Sequence, residues 1–192
     1  MNRFIPGTTM KFTELARDSA FSVISPILEA TGGLTLSQLS KLTGLEGTTI
    51  QNWIKRGWVS PTRGRKKYSQ QQVLRILLMN MLRGAMKLDD IANLMVYVNG
   101  DVEDTSDDII ADELLYNILC RIIFEAEEKG AFDTDSIKKL VGEEVEKYSS
   151  EIADEDKLKK AMYVMILAYR SGFLKSEMET GLKVILEEFE ER

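Results

Sequence analysis

Residues 34–69 read LTLSQLSKLTGLEGTTIQNWIKRGWVSPTRGRKKYS, and the fold turns on this stretch. Thr35 and Gln38 form a capping box, in which each side chain satisfies an amide left orphaned at a helix start. Leu36, Leu39 and Leu42 follow at helical spacing, and Gly44 ends the element. A tight turn from Gly44 to Gly47 leads into a second helix, expected from near Thr48 to about Arg56. Gly57 stops it, and Ser60-Pro61 forces an extended exit. Thr62 to Lys67 then reads as a short, highly basic loop or hairpin. Two short helices and a glycine turn, followed by such a hairpin, are expected to form a winged helix-turn-helix.

Charge supports a function for that unit. The first 100 residues carry 13 Lys/Arg against 6 Asp/Glu, a balance of +7; the rest carry 12 against 25, a balance of −13, for a net −6 over 192 residues. From Gly47 to Leu88 no acidic residue occurs, against nine basic ones: Lys55, Arg56, Arg63, Arg65, Lys66, Lys67, Arg75, Arg83 and Lys87. Such a stretch points to a polyanionic partner, and a helix is narrow enough to enter the major groove of double-stranded DNA. Thr48, Thr49, Gln51 and Asn52, at the start of the second helix, are the expected base-reading residues. Gln and Asn can pair bidentately with adenine, and a threonine methyl can touch thymine. Lys55 and Arg56 are expected on phosphates, as are the basic loop residues Arg63, Arg65, Lys66 and Lys67. Trp53 and Ile54 point inward.

Outward from this unit, helical periodicity dominates and strand-type alternation is nearly absent. Residues 1–33 form an arm with a short helix around Phe21 to Thr31, closed by Gly32-Gly33 and expected to pack on the following domain. Ser69 and Gln72 make a second capping box, opening an apolar helix through Val73, Ile76, Leu77 and Met81. A further helix spans Leu88 to Val98, which completes a DNA-binding domain over 34–99. Gly100 to Ser106, GDVEDTS, reads as a linker. Behind it, residues 100–192 read as an acidic dimerisation or effector domain of four helices. These are about Asp107 to Lys129, Thr134 to Tyr148, Glu155 to Gly172 and Ser176 to Glu190. The fold class is therefore all-α: a winged helix-turn-helix with a short wing, plus a C-terminal helical bundle.

The stretch from Leu34 to Met95 resembles the N-terminal DNA-binding domain of MerR-family regulators. Gly44-Leu45, Thr49-Ile50, Arg56-Gly57-Trp58-Val59-Ser60-Pro61 and Tyr68-Ser69 carry the resemblance, with Leu88 and Ile91 where that family begins its fourth helix. It is also similar to an uncharacterised bacterial family of unknown function that pairs such a domain with a variable helical tail. The resemblance implies that Tyr68 and the wing arginines touch phosphate. Gln51 stands where the MerR pattern has arginine and Asn52 where it has an aromatic, so no target sequence is implied. Excisionase proteins share the architecture.

Several chemistries are excluded by composition. Histidine is absent and Cys120 is the single cysteine, which removes Cys/His zinc sites, imidazole acid–base catalysis and internal disulfides. No nucleophile–base pair, phosphate loop or metal cluster is visible, so neither an enzyme nor a cofactor is expected. Asp101 to Asp108 lacks the glycine of a calcium loop and reads as linker, and Asp133 with Asp135 reads as a helix N-terminus. Cys120 reads as a buried small hydrophobe. No apolar run reaches spanning length and the N-terminus lacks a secretory h-region, so the expected location is cytoplasmic. The whole reads as a homodimeric, sequence-specific transcriptional regulator, with a small-molecule effector possible in its C-terminal domain. The alternative is a protein-interaction module or excisionase-like architectural factor reusing the same fold.

Overall fold

The computed structural model describes residues 3–62, 64 and 66–190. Among these residues the fold is all-helical, with no strand and two isolated bridges, Phe4 to Lys11 and Leu34 to Tyr68. The α-helices are α1 (Glu14–Asp18), α2 (Ser25–Thr31), α3 (Leu36–Thr43), α4 (Gly47–Lys55), α5 (Gln70–Leu82), α6 (Leu88–Asn99), α7 (Asp112–Lys129), α8 (Thr134–Lys147) and α9 (Glu155–Glu190). Both capping boxes are formed, Thr35 with Gln38 and Ser69 with Gln72. Asp133 caps α8 by accepting the amides of Asp135 and Ser136.

One apolar core runs from Ile5 to Ala168. Its centre is α5, buried at nearly every position from Gln72 to Leu82, with α7 and α9 packed on it. Cys120 lies fully inside α7, and burial pushes its thiol far above the usual range. The core is continuous across residues 100–111, because α5 and α6 pack on α7 and α9, and Asn99 ties the segment down locally. Its Nδ2 donates to the Ile110 carbonyl (2.7 Å) and to Asp112 Oδ1 (2.9 Å).

Two expectations are corrected here. The third and fourth C-terminal helices are one helix, α9, of 36 residues. Gly172, which reads as a helix stop, is instead a packing residue: a methyl group at Gly84 would sit 3.0 Å from its Cα. A side chain there would push α9 off the end of α5, and no proline or cap interrupts the ladder. Secondly, α7 starts at Asp112 rather than Asp107, since Ile109 and Ile110 are buried in a non-helical turn whose Ile109 amide pairs with Val98.

Residues 3–12 form a loop that clamps the rest together. Thr9 bonds the last carbonyls of α3, its amide to Leu42 (2.8 Å) and its hydroxyl to Lys41 (2.7 Å). Asn80 of α5 donates to both Gly7 (2.8 Å) and Thr43 (2.9 Å). Tyr116 of α7 donates to Pro6 (2.8 Å). At the rim, Arg3 and Arg17 bond Glu128 at 2.9 and 2.6 Å. Hydrogen bonds from Arg17 and then Arg3 hold that carboxyl down at about 2. A depressed acid stabilises the fold above its ordinary range, near 4.5, and the contribution is lost as pH falls toward about 2. Protection against hydrogen exchange at residues 3–17, taken relative to the intrinsic rate at each pH, is expected to fall on acidification through that window, and Glu128→Gln is expected to show the lower protection already at neutral pH. Equal rates in both proteins at neutral pH would mean that the arm is not held there.

Candidate nucleic-acid interface

The helix pair α3–α4 is built by local rules. Gly44 takes the left-handed conformation (φ 71°) that closes α3, a backbone state only glycine adopts without strain. Leu45 is then buried, and α4 begins at Gly47, one residue earlier than expected. Glu46 precedes it without a side-chain cap. A Cβ at Gly47 would press on Leu36 Cδ2 at 3.2 Å, so the small residue lets the two helices meet closely.

Ile50 and Trp53 of α4 are buried, and Ile54 is half-buried. The opposite face carries Thr48, Gln51, Asn52 and Lys55, all exposed and spaced at i, i+3, i+4 and i+7. These four form one polar stripe along a helix of about 14 Å. Thr49 lies half-buried beside the stripe rather than on it. Arg56 caps the helix end, its guanidinium 4.9 Å over the Trp58 ring and 3.7 Å from Asp89. Both partners of that ion pair are more than half exposed, so water and salt screen it.

Between Gly57 and Ser69 the described residues form neither helix nor strand. The expected wing hairpin is not shown: among the described residues the segment's ordered backbone pairing is Tyr68 with Leu34, and Leu34 lies before α3 rather than within the loop. Its ends are held from α5 instead. Gln72 donates to the Ser60 carbonyl (2.7 Å), and Arg75 Nε to the Trp58 carbonyl (3.4 Å). Of the expected phosphate contacts, Arg63 and Arg65 lie outside the described residues. Lys66 is exposed. Lys67 is half-buried, its ammonium donating to the Thr31 carbonyl at the end of α2. Tyr68 sits in the core at 6% exposure, so it serves packing at this position.

Sequence reasoning missed the buried guanidinium of Arg75, which is 4% exposed and lies near Asp112 and Asp108 rather than on the basic surface. Its place on the inner stripe of α5, between Leu74 and Ile76, was the available signal. Nor did sequence bring the acidic segment to the basic loop. Val102 and Glu103 line, together with Pro61, Thr62 and Lys67, a groove of about 350 Å³. The same segment raises Asp108 to about 6, through burial and the neighbouring Asp112 and Asp107 carboxylates. Among the described residues no three His, Cys, Asp or Glu side chains converge as a metal-binding group. No helix among them is long and apolar enough to cross a membrane.

Comparison with known proteins corrects the family reading. The matching family model is that of a domain of unknown function, DUF1836, over residues 23–119; the MerR resemblance, carried by short turn and helix-end motifs, is overturned by it. That match covers the helix pair, the basic loop, α5, α6 and the first part of α7. The uncharacterised protein YkrK of Bacillus subtilis (strain 168) is 30% identical over 120 residues, covering 60% of this chain and 50% of that protein. The chain thus spans about half the length of this relative. No solved structure matches. With half of its length inside the match, the chain belongs to the family described as domain of unknown function DUF1836.

Proposed function

We propose that the chain is a sequence-specific, double-stranded-DNA-binding transcriptional regulator. In this reading α4 lies in the major groove and the loop after Gly57 acts as a wing on the phosphate backbone. The observation that carries it is the stripe Thr48, Gln51, Asn52 and Lys55, exposed on a helix whose other side is anchored by Ile50 and Trp53. A rigid helix with amides at its centre and a cation at its end suits base-edge reading flanked by phosphate contact. No acidic residue occurs from Gly47 to Leu88; of the carboxylates that the fold brings near, Asp89 meets Arg56 in an exposed, screened pair and Glu103 lines the groove beside Lys67.

The test is selection of bound duplexes from a random pool, followed by titration. A defined motif is expected. Gln51→Ala and Asn52→Ala should each relax preference at particular base positions, with discrimination falling by about 1–3 kcal/mol per bidentate pair removed. Binding to unrelated duplexes should change little in these variants. Failure to enrich any motif, or equal weakening on every sequence, would reject base reading by α4.

A further inference from the structure

Beyond Phe173, α9 leaves the body of the protein, and every residue from Leu174 to Glu190 is exposed. At 1.5 Å per residue this arm projects about 25 Å. It is not evenly polar. Leu174, Met178, Leu182, Ile185, Leu186 and Phe189 are 51–76% exposed. At 100° per residue they fall within one arc of about 120°, the apolar stripe of a helix made to pack on something. Along one edge of that stripe run Lys175, Glu179, Lys183 and Glu187, with alternating charge; within the chain they pair at 3.9 Å (Lys175 to Glu179) and 3.6 Å (Lys183 to Glu187).

We propose that this arm binds the same arm of a second copy of the chain, antiparallel and centred between Gly181 and Leu182. Pairing about that point sets Met178 opposite Ile185 and Leu174 opposite Phe189 in the seam. In an antiparallel two-fold pair each helix edge meets its own counterpart. Glu179 of one copy then lies beside Lys183 of the other, and Lys175 beside Glu187 and Glu190, so the charged edge is complementary to itself. Gly181, next to the axis, leaves open space that a seam side chain can fill. A parallel pair would bring Glu187, Glu188 and Glu190 of both copies together, which like-charge repulsion opposes. Six half-exposed apolar side chains from each copy bury about 1,200 Å² in all, the lower bound of a specific interface. No residue of α3 or α4 takes part, so the contact stands or falls separately from DNA binding.

Sedimentation equilibrium of the full chain is expected to show twice the protomer mass. Met178→Glu with Ile185→Glu should halve it, while the near-ultraviolet signal of Trp53 and Trp58 in the body stays unchanged as a folding control. Lys183→Glu should weaken the dimer, and adding Glu179→Lys should restore it. Orientation is read by cross-linking, with Cys120 fully buried and silent. Leu182→Cys, near the axis, should form an intermolecular disulfide at least about 10-fold faster than Phe189→Cys, whose counterpart lies far away. A monomeric wild type, a double-glutamate variant of unchanged mass, or equal cross-linking at both positions would overturn the proposal.

Discussion

Tyr116→Ala is expected to destabilise the protein by about 3–5 kcal/mol, the range for emptying a large aromatic site in a packed core. For a chain of this size that corresponds to a fall in Tm of roughly 10–15 °C. Tyr116 is fully buried on α7, and its ring meets Phe21 edge-on at 6.4 Å between centroids. Its hydroxyl is the hydrogen-bond partner of the Pro6 carbonyl, so truncation both opens a cavity and strands a buried acceptor. Tyr116→Phe keeps the packing and is expected to cost only about 1 kcal/mol. Thermal or urea unfolding of the three proteins checks the ordering. A Tyr116→Ala protein as stable as wild type would show that residues 3–12 do not clamp α7 to the helix pair.

Removing the cations around α4 is the second large effect. Lys55→Ala, Arg56→Ala and Lys66→Ala together are expected to lower affinity for any duplex on the order of 100-fold near 0.1 M salt. The slope of log K against log salt should become shallower by about 0.9 for each phosphate no longer neutralised. All three side chains are exposed and none anchors the core, so stability should change by less than about 0.5 kcal/mol. Fluorescence titration across a salt series separates this outcome from the Gln51 and Asn52 variants, which should alter preference but not the slope. An unchanged slope in the triple variant would remove phosphate binding from this surface. Lys67 is left intact in that design because its ammonium already holds the end of α2 through Thr31. Replacing it would confound binding with folding.

The helix pair α3–α4 was legible because its signals are local. Capping by Thr35 and Ser69, and the left-handed turn at Gly44, depend on side chains within three or four residues of each other. The polar stripe on α4 follows from its period, once Ile50 and Trp53 are known to face inward. The basic segment after Gly57 was less legible. A run of basic residues between two extended positions is compatible with a hairpin or a loop, and here Leu34 takes up the backbone pairing at Tyr68. The family resemblance rested on the same short motifs, which is too little sequence to separate one helical family from another.

By itself the sequence determined where the capped helices α3 and α5 begin, that α4 is apolar on one face, and that cations gather between Gly47 and Leu88, because propensity, capping and charge are properties of neighbouring residues. Only the tertiary structure decided that Gly172 continues α9 by packing on Gly84 instead of ending it, that Arg75 turns inward, and that Val102 and Glu103 line a groove with the basic loop. Those outcomes depend on which segments meet across the core, and contacts between residues far apart in the chain leave no local pattern to read.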